Sequence, residues 1–338
     1  MAVEQDIELA TQARSKDLEY PDVRSSHEHE LRYRKKRDQR YDHGAPELHT
    51  RPFVGRMGGN QEYTMDPDDA SFVSIISKVP DAGTTFTWRQ SIKLDAFSDL
   101  ELWKEATIEG VGGCLQFYLA GLYSIGLASK VDATALGAVT PAILGALSNW
   151  ILIALFIYAG GPVSGGHFNP LITMSTFFAR LSILPRTVLY VLFQCTGSVV
   201  AGFMLRASLG EGPKPFETVP GCYIDTSLVT PGQAYALETM SCFALLFIAF
   251  GVGLDPRQRQ VFGPALSPIL VGLALGLCTF GSSIFRPGYA GASMNPARCL
   301  GLMAVAGKFD YHYIHWVGPI TAGALNGMLY WAIPIYKD

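Results

Sequence analysis

The sequence predicts an all-α membrane protein with six transmembrane helices and two re-entrant half-helices arranged as an inverted repeat. Six apolar stretches are each long enough to cross a bilayer, two further apolar stretches are too short, and both short stretches begin with Asn-Pro. About 20 apolar residues are needed to span the hydrocarbon core. The short stretches are therefore expected to enter the membrane and turn back inside it.

Charge divides the chain into a tail and a membrane domain. Residues 1–98 hold 14 of the 26 Lys and Arg and 17 of the 29 Asp and Glu, although they make up less than a third of the chain. The rest is apolar and rich in Gly, which is typical of a membrane domain. We expect 1–98 to be a largely disordered cytoplasmic tail, and 99–338 to be the membrane domain. Short apolar runs in 70–98 are expected to pack against that domain.

The long apolar stretches are predicted transmembrane helices at 103–128, 138–160, 185–207, 232–254, 264–283 and 312–335. The short stretches, 169–180 and 295–306, are each about 12 residues long. Asn is a favourable N-cap and Pro is favoured in the first helical turn. Both Asn-Pro pairs therefore predict helix starts rather than helix breaks.

A Gly-rich run precedes each half-helix: GGPVSGGHF at 160–168 and PGYAGASM at 287–294. Such backbone is expected to be non-helical, and at membrane depth it is tolerated only when buried in protein or lining a cavity. Each half of the domain reads span, span, half-helix, span, which gives repeat one at 99–207 and repeat two at 232–335. Three spans per repeat force the second copy to be inverted, so the half-helices meet near the midplane, as in transport proteins.

The distribution of Lys and Arg predicts which ends of the spans face the cytoplasm. The tail is rich in both, Arg257 and Arg259 lie between the fourth and fifth spans, and Arg180 and Arg186 flank the turn into the third span. These fall on one side, so both termini are expected to be cytoplasmic, and the loop 208–231 extracellular. The basic run at 31–41 is either a solvated charge run or a contact for anionic lipid headgroups.

Asn169 and Asn295 would present side-chain amides where two helix N-termini meet. The partial positive charge of the helix ends repels cations, whereas a neutral solute with an oxygen can accept the amide hydrogen bonds. Arg298 lies one turn into the second half-helix. It would face a lumen and donate hydrogen bonds, or alternatively reach to the membrane surface. The pattern predicts passage of neutral polar solutes and exclusion of ions.

Glu109 and Glu238 lie well inside the first and fourth spans. We expect both to accept hydrogen bonds from the non-helical loops, with His167 helping to cap the first loop. The alternative, coupling to protons, would make the chain an ion-coupled secondary transporter. An intramembrane enzyme is disfavoured because no nucleophile motif accompanies Ser164 and His167. No cofactor or metal is predicted, since the six Cys lack metal-site spacing, and no nucleic-acid partner is predicted.

These residues resemble the aquaporin (major intrinsic protein) superfamily. SGGHFNPL at 164–171 resembles its first Asn-Pro-Ala box, and GASMNPAR at 291–298 matches its second. The resemblance covers about 100–335 and implies a homotetramer in a lipid bilayer, here expected to be the plasma membrane, with one pore per subunit. The pore-midplane residues that it implies are Asn169, Leu171, Asn295 and Ala297.

The resemblance also implies a selectivity filter, formed here by Asn149, Thr279, Ala292 and Arg298. Strict water channels resemble one another in carrying a bulky aromatic residue and a His at two of these positions. The small residues here imply a wider lumen that admits glycerol, urea, hydrogen peroxide or boric acid, with some water. A strict water channel of the same fold is the alternative.

Three details look like the uncategorised X-intrinsic proteins found in fungi and plants, and a fungal member is expected. They are Leu171, Cys299 directly after the filter Arg, and Cys222 in the long loop. Cys222 and Cys299 should both lie toward the extracellular face, where they pair, act as a thiol site that alters pore access, or stay unlinked. Leu171 either packs against neighbouring helices or leans into the lumen and narrows it.

Overall fold

The computed structural model describes residues 53–58, 70, 72–83, 87–130, 137, 139–210 and 222–332. All of them lie in one compact unit, Thr50–Asp338. The basic run at 31–41, the rest of the chain before residue 53 and the middle of the loop 208–231 fall outside the described residues. The predictions made for those segments stay predictions.

The described part of the chain is all-helical and contains ten α-helices. They are α1 (Phe72–Lys78), α2 (Trp88–Ser91), α3 (Leu100–Lys130), α4 (Val139–Ser164), α5 (Pro170–Phe178), α6 (Leu184–Leu209), α7 (Pro231–Ala249), α8 (Arg259–Phe285), α9 (Pro296–Ala306) and α10 (Ile314–Ala332). A π-helical turn, Phe250–Leu254, extends α7. The observed helices match the six predicted spans and two half-helices to within a few residues.

Within the described residues, five helices are long and apolar enough to cross a bilayer: α3, α4, α6, α8, and α7 with its π-helical extension. The sixth predicted span corresponds to α10, which has 19 residues. His315 and Asn326 lower its hydropathy, and both are buried inside the protein rather than facing outward. The half-helices α5 and α9 have 9 and 11 residues, so neither can span a bilayer alone.

The two repeats exchange their half-helices. Within the repeats, α3 packs along α6 and α7 along α10, and across the repeats α4 packs along α8. Half-helix α5 of the first repeat packs on α10 of the second, while α9 of the second packs on α6 of the first. This reciprocal packing is what an inverted repeat predicts, and it brings the N-termini of α5 and α9 together.

Small residues permit the closest helix contact. A Cβ on Gly301 would lie 2.2 Å from the carbonyl oxygen of Ser198, and one on Gly202 would lie 2.5 Å from the carbonyl oxygen of Gly301. Because real Cβ atoms do not approach this closely, α9 and α6 can pack here only with glycine at both positions. Large apolar side chains cover the outward faces instead, as in Phe247, Leu277 and Met328, which suits contact with lipid.

Alternation of the spans defines two faces of the membrane domain. The face that we call the first-loop face carries the start of α3, the loop 165–168 and the end of α10. The opposite face, the second-loop face, carries the end of α6, the segment 222–230 and the loop 286–295. An isolated antiparallel bridge between Ile224 and Tyr289 joins the two segments on that face.

Two sequence-based boundaries differ from the structure. The compact unit begins at Thr50, whereas the predicted domain boundary was after residue 98. Residues 53–58 pack on the membrane domain, because Phe53, Val54 and Arg56 are fully buried, and Asp81 pairs with Arg186 of α6. The Gly-rich run was predicted to be non-helical from residue 160, but α4 continues to Ser164 with Pro162 inside it.

Candidate functional site

The two Asn-Pro pairs begin α5 and α9 as predicted. Asn169 and Asn295 are the N-caps, and each is followed by Pro in the first turn. The side-chain oxygen of Asn169 accepts from the backbone N–H of Leu171 at 2.9 Å, and that of Asn295 accepts from Arg298 N–H at 3.3 Å. These bonds use the amide oxygens and leave the amide N–H groups free to act elsewhere.

The two caps are also bonded across the repeat. Asn169 Nδ2 donates to the carbonyl of Met294 at 2.8 Å, and Asn295 Nδ2 donates to the carbonyl of Phe168 at 3.1 Å. Phe168 and Met294 both have a left-handed backbone, with φ of 46° and 51°. Non-glycine residues rarely adopt this conformation, so the same strained turn is built in both repeats. Each amide keeps a second N–H, which can reach a passing solute.

Glu109 holds the first loop. Its carboxylate accepts from the backbone N–H groups of His167 at 3.0 Å and Phe168 at 2.5 Å. It also accepts from Ser164 Oγ at 2.6 Å and Gln194 Nε2 at 2.8 Å. Four donors face this fully buried carboxylate, so the ionised form, which only accepts, matches its surroundings.

Glu238 holds the second loop in the same way. It accepts from the backbone N–H groups of Ser293 at 3.0 Å and Met294 at 2.8 Å. Tyr289 OH donates to it at 2.6 Å, and His315 Nδ1 lies 3.2 Å from it. In each repeat, the backbone N–H groups of the two residues before the capping Asn thus donate to the same carboxylate. The loop-supporting positions proposed for both Glu residues agree with this geometry.

His167 lies between the first loop and the N-terminal segment. Its Nε2 donates to the carbonyl of Gly55 at 2.7 Å, so its Nδ1 can accept from the hydroxyl of Thr173 at 3.1 Å. The side chain is 1% exposed and also lines the cavity described next. It therefore connects the loop to a segment that the sequence placed in the tail.

A cavity runs past the two Asn residues. The volume open to the centres of water molecules is about 80 Å³. A water needs roughly 10–15 Å³ by this measure, so the cavity holds a short file of waters or one small polar solute. Both capping residues and all four predicted filter residues line it: Asn149, Asn169, Thr279, Ala292, Asn295 and Arg298.

Leu171 and Ala297, which were predicted at the pore midplane, do not line this cavity, and for Leu171 the structure has the packing alternative. Leu171 is 0% exposed and packs in an apolar cluster with residues such as Ile157 and Leu246. Ala297 packs with Phe117. Successive residues of an α-helix are rotated by about 100° around its axis. The residues that follow Leu171 and Ala297, which are Ile172 and Arg298, therefore face the lumen instead. On α5 the lining side chain is Ile172.

The sequence did not identify most of the apolar lining, and it also missed two lining residues with distinctive positions, Gln116 and Met57. Gln116 on α3 is 7% exposed, and its side-chain oxygen has no hydrogen-bond partner among the described residues. A polar residue in the first apolar span was a signal for it. Met57 also lines the cavity, although it precedes the first span by more than 40 residues. No sequence signal marks it, because its nearest neighbours are Arg56 and three glycines rather than an apolar run.

Arg298 sits beside a disulfide. Cys222 and Cys299 are bonded, which joins the segment 222–230 to α9 across 77 residues of sequence. The sequence left open whether Cys222 and Cys299 pair, and in the structure they form a disulfide. Arg298 Nη1 lies 3.7 Å from Cys222 Sγ, so the disulfide packs directly against the guanidinium. Hydrogen bonds from Asp225 N–H to the Gly288 carbonyl and from Ala290 N–H to the Tyr223 carbonyl add to this link.

Replacing Cys299 by Ser is expected to lower the thermal unfolding temperature and to alter solute permeability. Closing a loop of 77 residues is worth about 4 kcal/mol in the chain-entropy model. The matched control is Cys195→Ser, since Cys195 is a half-buried free cysteine on α6. Unfolding in detergent and alkylation mass spectrometry are the measurements. Alkylation of both Cys222 and Cys299 in unreduced wild-type protein would contradict the link.

Comparison with known proteins gives a consistent result. The profile of the family described as major intrinsic protein matches residues 96–330. Aquaporin TIP4-3 of Zea mays is 32% identical over 222 residues, which cover 65% of this chain and 84% of that protein. Aquaporin-4 of Rattus norvegicus is 33% identical over 181 residues, which cover 53% of this chain and 52% of that protein.

A solved structure shares the fold. The X-ray structure of the aquaglyceroporin from Plasmodium falciparum aligns with a TM-score of 0.53 and covers 68% of this chain and 95% of that chain. The two sequences are 16% identical in this alignment, so the likeness concerns the fold alone.

Proposed function

The chain belongs to the major intrinsic protein family, a family of membrane channels, and on this premise we propose that it is a passive channel for small uncharged polar solutes. The substrates proposed are glycerol, urea, hydrogen peroxide and boric acid, with some water. One observation carries the proposal: Asn149, Thr279, Ala292 and Arg298 line one cavity, and the first three are small.

Donors in this cavity favour neutral molecules that carry oxygen. Arg298 offers guanidinium N–H groups, and Asn169 and Asn295 each keep one amide N–H. The N-termini of α5 and α9 add partial positive charge at the same place. A cation would lose its hydration shell there and meet repulsion, whereas a hydroxyl or carbonyl oxygen would replace the lost water contacts.

Acceptors in the same cavity suit solutes that also donate. The side-chain oxygen of Gln116 lacks a partner among the described residues and belongs to the cavity lining. The Thr279 hydroxyl donates to the Leu275 carbonyl at 2.8 Å, which leaves its lone pairs available. Phe117 supplies an apolar surface. Polyols and urea have donors, acceptors and carbon-bound surface in one molecule, so they match this mixed lining.

A strict water channel of the same fold is the second candidate, and curated relatives named aquaporins favour it. Filter size decides between the two candidates. A narrow filter needs bulky side chains, and Asn, Thr and Ala do not supply them. An ion-coupled transporter is the less favoured alternative, because Glu109 and Glu238 each receive at least four hydrogen bonds or close donors and neither lines the cavity.

The chain is an integral membrane protein, and we place it in the plasma membrane as a homotetramer with both termini in the cytoplasm. The first-loop face is then cytoplasmic. The distribution of Lys and Arg supports this orientation, since Arg180 and Arg186 flank the start of α6 on that face. The disulfide on the second-loop face supports it as well, because disulfides persist in oxidising surroundings. The fungal X-intrinsic subtype stays a prediction.

Stopped-flow light scattering on proteoliposomes tests the passive mechanism. Glycerol and urea gradients are applied with and without opposing pH and sodium gradients. A channel gives initial fluxes that follow the solute gradient alone and do not change with either ion gradient. Solute movement against its own gradient, or flux that requires a proton or sodium gradient, would replace the channel with a coupled transporter.

A further inference from the structure

Arg180 follows α5 at the first-loop face and has no anionic partner among the described residues. Its Nε atom is buried, yet this donor has no hydrogen-bond acceptor there either. Buried donors in folded proteins normally have an acceptor. This guanidinium must therefore take its acceptors from molecules that lie against the protein.

The backbone position of Arg180 does not require an arginine. Arg180 has a left-handed backbone with φ of 56°. Its N–H donates to the Phe177 carbonyl at 2.9 Å, and Leu181 N–H donates to the Thr176 carbonyl at 2.8 Å. This pair of bonds is the Schellman motif, which ends many helices and usually has glycine at the left-handed position.

The second half-helix ends in the same turn, but with glycine. Gly307 follows α9 with φ of 66°. Its N–H donates to the Ala304 carbonyl at 3.3 Å, and Lys308 N–H donates to the Met303 carbonyl at 3.2 Å. The two repeats thus build one turn with different residues, and glycine adopts this conformation without strain. The reason for an arginine at position 180 therefore lies in its side chain rather than in the turn.

Two tryptophans hold the Arg180 guanidinium in place. It lies over the ring of Trp331, and its central carbon is 5.9 Å from the centre of the Trp88 ring. Trp331 Nε1 donates to the Ala179 carbonyl at 3.3 Å, and Trp88 packs edge-on against Phe177 with 5.7 Å between the ring centres. Both rings are thus fixed to the end of α5. Because the guanidinium is already positioned, binding a ligand requires little further ordering of the protein.

The two tryptophans place this guanidinium at the border between lipid and water. Trp331 is the second-last residue of α10, and Trp88 begins α2 in the segment that leads to α3. They are 48% and 47% exposed, and the exposed apolar residues Ile92 and Leu94 follow Trp88 before the first span begins. Tryptophan favours the headgroup level of a bilayer. The guanidinium therefore faces the lipid headgroups of the leaflet at the first-loop face.

The charge around Arg180 favours an anionic lipid. In the stretch 87–104, three basic residues are balanced by three acidic ones: Arg89, Lys93 and Lys104 against Asp95, Asp99 and Glu101. Arg180 therefore decides the preference. A guanidinium binds phosphate oxygens in pairs through its planar set of N–H groups. A choline cation would need an open aromatic face, whereas Arg180 already lies over the Trp331 ring.

We propose that Arg180, Trp88 and Trp331 form a binding site for the phosphate group of an anionic lipid in the leaflet at the first-loop face. The phosphate oxygens accept hydrogen bonds from the guanidinium. The acyl chains lie along the outward side of α10, where Met328 is exposed one turn before Trp331. This site goes beyond the proposed channel function, since none of its three residues lines the cavity.

Native mass spectrometry of the full chain in detergent tests the proposal, with phosphatidylglycerol or phosphatidylcholine of identical acyl chains as the probe. The wild-type chain should bind the first phosphatidylglycerol about tenfold more tightly, as expected for charge-assisted hydrogen bonds. Arg180→Gly should bind the two lipids equally. Lys104→Met removes an exposed charge at the same face and should keep the wild-type ratio. Equal binding of the two lipids by the wild type would overturn the proposal.

Trp331→Leu and Trp103→Leu are a matched pair for the aromatic part of the site. Both rings are partly exposed at the first-loop face, and each indole N–H donates to a backbone carbonyl. Trp331 lies under Arg180, whereas Trp103 packs against Phe193. Trp331→Leu should weaken phosphatidylglycerol binding several-fold, and Trp103→Leu should leave it unchanged. Equal losses in both variants would indicate general anchoring at the interface and overturn the site.

Thermal unfolding separates loss of the site from loss of the fold. In phosphatidylcholine, Arg180→Gly should unfold at or above the wild-type temperature, because glycine adopts the left-handed turn without strain, as Gly307 does. Phosphatidylglycerol should raise the unfolding temperature of the wild type but not that of Arg180→Gly. A lower temperature for Arg180→Gly in phosphatidylcholine, with an equal gain from phosphatidylglycerol in both chains, would assign Arg180 to the fold and overturn the site.

Soluble phosphates distinguish a lipid site from a general anion site. Excess inorganic phosphate or glycerol phosphate should leave the bound phosphatidylglycerol in place, because neither carries acyl chains that lie against α10. Displacement by either would identify a general anion site and overturn the lipid assignment. None of these measurements involves solute flux, so failure of the proposed channel function would leave their outcomes unchanged.

Discussion

Replacing Glu238 with Ala is expected to prevent stable folding of the membrane domain. The change leaves four buried donors without their acceptor: Ser293 N–H, Met294 N–H, Tyr289 OH and His315 Nδ1. Each unsatisfied buried donor costs about 1–3 kcal/mol. The total reaches about 4 kcal/mol or more, which is a large part of the ordinary stability of a folded domain. The measurement is the thermal midpoint and yield of folded protein by size-exclusion chromatography in detergent.

The matched control for this prediction is Glu101→Ala. Glu101 pairs with Lys104 at the surface, and exposed pairs contribute little. Glu109→Ala should behave like Glu238→Ala, because the first loop ends on Glu109 in the same way. Unfolding of the Glu238 variant at the same temperature as the Glu101 variant would contradict the supporting role.

Replacing Asn149 with Phe is expected to reduce glycerol and urea permeability by at least about tenfold, since an added barrier of about 1.4 kcal/mol suffices for that factor. The larger ring would occupy part of a cavity of about 80 Å³. Water should still pass, because it needs far less width. Stopped-flow scattering measures all three permeabilities on one preparation.

Ile151→Phe is the matched control for the filter prediction. Ile151 lies two residues further along α4 and is 57% exposed on the outward face, so the same added ring should leave the cavity unchanged. Equal glycerol fluxes in wild type, Asn149→Phe and Ile151→Phe would place the selective constriction elsewhere. Loss of water and glycerol together in Asn149→Phe would indicate a blocked pore rather than a narrowed filter.

The helical framework could be predicted because each element carries a local signal. Length and hydropathy define the spans, and the Asn-Pro pairs define the starts of α5 and α9. Glu109 and Glu238 could be assigned to the loops because a carboxylate inside a span needs donors, and the non-helical backbone supplies them. These inferences depend on residues that are neighbours in sequence, or on the high free energy of polar groups left without hydrogen bonds in a bilayer.

Side-chain direction and long-range docking could not be predicted in the same way. Leu171 and Ile172 are adjacent apolar residues, and only the rotation of α5 in the bundle decides that Ile172 lines the cavity. Phe53–Gly58 lies in a region of mixed charge and contains no apolar run. Its burial depends on Arg56 reaching α4 and on Gly55 fitting against Leu181, which are contacts between residues more than 100 positions apart. The disulfide likewise depends on how the segment 222–230 and α9 are placed in space.

The ratio of glycerol to water permeability in proteoliposomes tests the central claim most directly. Small residues at Asn149, Thr279 and Ala292 are proposed to leave a filter wide enough for polyols. The full chain should therefore raise glycerol permeability well above that of protein-free liposomes, together with water permeability. Raised water permeability with glycerol, urea and hydrogen peroxide all at the protein-free level would contradict the account and indicate a strict water channel.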